Sequence, residues 1–109
     1  MPILHFIVNG QNVVLDPNCD TTGLVPGTEG YVMAEFTFSK EWDSCIKVAA
    51  FYSNLGREFE PQILKDGNVC IIPYQALQKS IFKVKVFGKK DGYTICTNKV
   101  TVHQKGGNT

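Results

Sequence analysis

The chain has 109 residues, a formal net charge of +1 and 43% hydrophobic residues. That length holds one ordinary domain with one core, and so small a charge gives no field that would by itself recruit nucleic acid. No apolar run approaches the roughly 20 residues that span a bilayer, and the opening MPILHFIVNG lacks the basic start and small-residue cleavage site of a secretory signal, so assembly is expected in a cytosol with no membrane partner.

His5 to Leu15 is two short apolar runs around Asn9-Gly10, the strongest short hairpin signal, because a type I′ turn needs positive φ at both central residues. Asp16 to Gly30 follows, rich in Pro, Gly, Thr and Asp. A loop of that length either crosses between sheets or makes contact with another chain. Tyr31 to Ser39 reads as a strand, since Phe36 and Phe38 alternate with Glu35, Thr37 and Ser39. Lys40 to Cys45 makes a corner that carries the lone tryptophan, Trp42. Ile46 to Ser53 is a strand with both faces largely apolar, which places it inside a sandwich. Asn54-Leu55-Gly56 turns it. Arg57 to Leu64 is a strand interrupted by Pro61, and a residue without an N–H implies an edge position or a bulge. Asp66-Gly67 turns again into the short strand Asn68 to Ile72.

Pro73 to Lys79 reads as one helical turn, near 74–79, with proline at its first position. Ile81 to Phe87 alternates cleanly, and its lysines, running on to Lys90, read as a solvated face. Lys90-Asp91-Gly92 makes a hairpin to a last strand, Tyr93 to His103, and residues 104–109 form a polar, glycine-rich tail. About seven to nine short strands with turn signals every ~8–12 residues predict a single all-β domain over 1–109, an immunoglobulin-like antiparallel sandwich.

The four cysteines, Cys19, Cys45, Cys70 and Cys96, are expected to be reduced thiols. There is no export signal and no close CxxC pair, and three of the four lie in or beside apolar strands. His5 and His103 have no cysteine at ligand spacing, so no metal is expected. Nucleophile-elbow, zinc-protease, P-loop and dinucleotide motifs are absent from the sequence. Carboxylates at Glu35, Glu41, Asp43, Glu58 and Glu60 could be drawn into a glycosidase pair, but a domain this small has little room for a cleft. No catalytic residue and no cofactor are expected. Trp42 is read as a plug at one end of the sandwich. Tyr52, Tyr74 and Tyr93, beside turns, are candidate interface or glycan contacts.

The ordered set FTFSKEWD, KVAAF, a DG turn with VCIIPYQAL, FKVKVFG and the return GYTICTNKVTV ending in QKGG resembles a domain that recurs in phages of Gram-positive bacteria. The likeness covers about residues 31–107. It is similar to small immunoglobulin-like modules of tailed-phage virion proteins: head decoration proteins, head-fibre bases and baseplate attachment domains. The resemblance implies a non-enzymatic module that docks on a particle through its termini, the Asp16–Gly30 loop and an edge strand. Its partners would be the major capsid protein, other virion proteins and copies of itself, with no nucleic acid. Phe36, Phe38, Trp42, Ala49, Phe51, Pro73, Gly88 and Asn98 match as fold determinants. Ser44-Cys45 departs from the pattern, which has Gly-Leu after the acidic residue. The alternative is a carbohydrate-binding or tail-adhesion module for a host surface glycan.

Overall fold

The computed structural model describes residues 2–21 and 23–104; the tail 105–109 lies outside the described residues. The strands are β1 Ile3–Asn9, β2 Asn12–Leu15, β3 Met33–Phe38, β4 Ile46–Ser53, β5 Gln62–Ile63, β6 Val69–Ile71, β7 Ile81–Lys90, β8 Tyr93–Cys96 and β9 Val100–His103. They form the expected all-β sandwich. One sheet has the order β2-β1-β3-β6; the other runs β5-β4-β7-β8, with β9 also on β7.

One pairing departs from an antiparallel sandwich. β1 and β3 run parallel, with Phe6 opposite Phe36 and Val8 opposite Phe38. Parallel neighbours need a long crossover, and the segment from Asp16 supplies it. That segment leaves β2, passes β1 and enters β3 within one sheet. Leu24 and Val32 anchor it in the core, and the Gly27 N–H donates to the Leu77 carbonyl at 2.8 Å.

The first hairpin is shifted by one residue from expectation. Asn9 pairs with Asn12, so Gly10-Gln11 is the turn. Positive φ falls on Gly10, at +58°, and not on Asn9. A turn with positive φ at its first central residue alone follows the II′ pattern rather than I′. The helical turn is a 3-10 turn, Tyr74–Leu77, with Pro73 capping it rather than opening it. Pro61 sits at both features that it implies. β5 is an edge strand, and between the Tyr52–Glu58 bridge and the Ala49–Gln62 pair, residues 59–61 oppose residues 50–51. The last strand divides for the same reason. Residues 97–99 oppose residues 85–86 between the Phe87–Cys96 and Val84–Val100 pairs, a β-bulge.

Alternation fills the core. Leu4, Phe6, Val8 and Phe36 face inward from the first sheet; Ala49, Phe51, Phe82, Val84 and Val86 meet them from the second. Phe6 stacks on Phe36 at 5.0 Å, and Phe38 meets the Trp42 ring at 5.1 Å. Trp42 is fully buried, in a 3-10 turn, Lys40–Trp42. Its indole N–H donates to the Gly10 carbonyl at 2.8 Å, which satisfies the one polar group such a ring buries. The corner is thus the plug that its sequence suggests.

Candidate functional site

Side chains paired across a sheet share a face, so the β4–β7 register sorts the second sheet into an inner and an outer set. Ile46, Val48, Ala50 and Tyr52 lie opposite Lys89, Phe87, Lys85 and Lys83 on the outer face. Ile63 joins them from the edge, opposite Val48, and Cys96 joins from β8, opposite Phe87. β4 was expected to be covered on both faces. Ala50 and Tyr52 are buried, but Ile46 is 68% exposed and Ile63 60% exposed. Ile46, Val48, Phe87, Lys89, Asp91 and Thr94 line an open groove of about 610 Å³.

Lysines fringe this aliphatic stripe, and two of them lie over its aromatic rings. Lys85 Nζ sits 5.0 Å from the centre of Phe87, and Lys99 Nζ 4.0 Å from that of Tyr52. Among the described residues, Lys83, Lys85, Lys89 and Lys99 have no carboxylate within ion-pair distance. Burial, with Glu58 and Cys96 nearby, pushes the Tyr52 hydroxyl above its usual range.

The first sheet also turns apolar side chains outward. Ile3, Ile7, Val14 and Ile71 are each between 38% and 42% exposed. Among them His5 and Glu35, opposite one another in the register, form a 2.8 Å pair.

Tyr52 and Tyr93 do not share a surface. Tyr52 lies buried on the outer face of the second sheet. Tyr93 pairs with Lys90 and Tyr52 with Lys83, a separation of about 23 Å along β7 at the usual rise per residue. The Tyr93 hydroxyl donates to the Glu41 carbonyl at 2.9 Å, fastening the β7–β8 hairpin to the Trp42 corner. Tyr74 is exposed on the second 3-10 turn. A glycan platform needs its rings together, and Tyr52 and Tyr93 stand apart.

The carboxylates are separated as well. Glu35 faces outward on the first sheet, Glu41 and Asp43 belong to the corner, and Glu58 bridges to Tyr52 on the second sheet. A hydrogen bond from the Ser39 hydroxyl holds the Glu41 carboxyl below its ordinary value. Among the described residues, no group of three or more His, Cys, Asp or Glu is placed to hold a metal ion. All four cysteines are unpaired.

Of the residues quoted for the family likeness, Trp42, Gly88 and Asn98 gather at one end of the sandwich. Trp42 holds Gly10, Gly88 lies against the Trp42 ring, and Asn98 Oδ1 accepts from the Val13 N–H at 2.9 Å. Phe36 and Phe51 are core, and Phe38 packs against it. Sequence reasoning missed Ile46, Ile63, Phe87 and Lys89 as a surface. The available signal was β4 itself, whose outward positions are apolar where a solvated face would be polar. No family model, curated protein or solved structure matches the chain.

Proposed function

We propose that the chain is a non-enzymatic structural protein of a bacteriophage virion, a capsid decoration or head-fibre-type protein that docks on the head. The observation that carries this reading is the exposure of aliphatic side chains on both outer sheet faces, Ile3, Ile7, Val14 and Ile71 on one and Ile46 and Ile63 on the other. Apolar surface of that kind marks places where a protein meets another protein. The motif likeness to phage virion modules points the same way. The partners are the major capsid protein, other virion proteins and neighbouring copies of the chain; assembly takes place in the host cytoplasm and the final location is the virion.

The crossover segment adds to this surface. Val25 is 60% exposed and Tyr31 54% exposed, beside a hollow of about 320 Å³ lined by Leu24, Thr28 and Val32. Function then lies on the sheet faces and this loop, and the Trp42 corner only holds the scaffold. Co-sedimentation with particles that lack the protein tests the reading. Saturable binding supports it, and protein left in the supernatant overturns it.

A further inference from the structure

We propose that the outer face of the five-stranded sheet docks an acidic, aliphatic protein surface; this rests on the particle-docking reading for the identity of the partner. Ile46, Val48, Ile63 and Phe87 make a continuous apolar stripe by register, not by proximity in sequence. Lys83, Lys85 and Lys89 stand along β7 beside it, and Lys99 lies over Tyr52.

Charge complementarity decides the occupant. Among the described residues these lysines have no carboxylate partner within ion-pair distance, which leaves them free to meet the carboxylates of another chain. Two acidic groups stand near this face, Glu58, bridged to Tyr52, and Asp91, which lines the groove beside Lys89 and Lys90; the lysines outnumber them. A second copy seated face to face would set lysine against lysine, which opposes association. The other cationic-surface reading is single-stranded nucleic acid, which needs open aromatic faces for stacking. Here Lys85 lies over Phe87 and Lys99 over the buried Tyr52. The apolar groups most open to contact are Ile46 and Ile63, and branched aliphatic chains do not stack with bases. They pack against other aliphatic chains while the lysine fringe meets carboxylates, the usual apolar centre and polar rim of a protein interface.

The test is a nitrogen-15 NMR titration of the full chain with a synthetic peptide of alternating glutamate and valine, and separately with oligothymidylate. The expected result is shift changes at Val48, Ile63, Lys85, Phe87 and Lys89. Affinity should fall about tenfold in the Lys85→Glu, Lys89→Glu double variant and with rising salt. Ile46→Asp, at an exposed position, tests the apolar half and should weaken binding with the fold retained. Peptide binding that maps elsewhere, no binding at millimolar peptide, indifference to both variants, or tighter binding of oligothymidylate at this face would each overturn the proposal. A chain that binds the peptide here yet fails to co-sediment with particles would support this inference and overturn the virion reading.

Discussion

A Cβ placed on Gly88 would stand 2.7 Å from both Cε3 and Cζ3 of Trp42, with Ile95 Cγ2 at 3.1 Å. The two residues lie 46 positions apart in the chain (88 minus 42) and belong to different elements, yet they define one contact. Gly88 is needed here for closeness of approach. The Cε3–Cζ3 side of the indole comes up against β7 at Gly88, and only a residue without a side chain leaves room for it. Gly88→Ala is therefore expected to cost about 1–3 kcal/mol by overpacking, and Trp42→Ala about 3–5 kcal/mol through the cavity it leaves. Urea unfolding of the two single variants and the double variant tests the contact. With the indole gone the added methyl has nothing to meet, so the double variant should lose less than the sum.

Asn98 closes the other side of the same end. Its side-chain oxygen accepts from the Val13 N–H at 2.9 Å, and its own N–H donates to the Gln11 carbonyl at 3.1 Å. Asn98→Ala leaves the Val13 N–H without that acceptor and should destabilise by about 1–3 kcal/mol. Asn98→Asp keeps the acceptor and should lose less, which thermal unfolding of the pair will show.

Ser44 takes a left-handed backbone, φ +66°. It stands where the phage-module pattern has glycine, and an L side chain pays about 1–2 kcal/mol to sit there. Ser44→Gly should raise stability by about 0.5–1 kcal/mol after the added freedom of the unfolded chain is subtracted. A higher denaturation midpoint with an unchanged m-value would confirm it.

Burial pushes the Cys70 thiol from 9.0 up to about 12. The folded state therefore holds its proton more tightly than the unfolded state. The resulting contribution to stability is fully present below pH about 9 and is lost as the pH rises toward about 12. Cys70→Ala should flatten that alkaline decline in a pH series of unfolding midpoints. At neutral pH the partly exposed Cys19 and Cys96 should react with a thiol reagent before Cys70 does.

Local pattern located most elements, because alternation and turn residues are local properties. β4 begins and ends as predicted, and Pro61 marked both an edge and a bulge. The Asn9-Gly10 pair predicted a hairpin but not its register, since Gly10 meets the demand for positive φ from either side of the turn. Long-range pairing was not legible: nothing near Ile3–Asn9 signals a parallel neighbour at Met33–Phe38. The candidate surface was hidden for the same reason. Ile63 reaches Val48 only through the β4–β5 register, and the lysines of β7 read as an ordinary solvated face until β4 laid Ile46 and Val48 beside them.

The most direct measurement is a cryo-electron microscopy reconstruction of the purified particle. A two-layer β module of about 43 × 27 × 21 Å is expected on the outside of the head, with Ile46, Ile63 and Lys89 facing acidic residues of the shell. A complete map with no such module on the head, or with it only at the tail or baseplate, would overturn the head-docking reading.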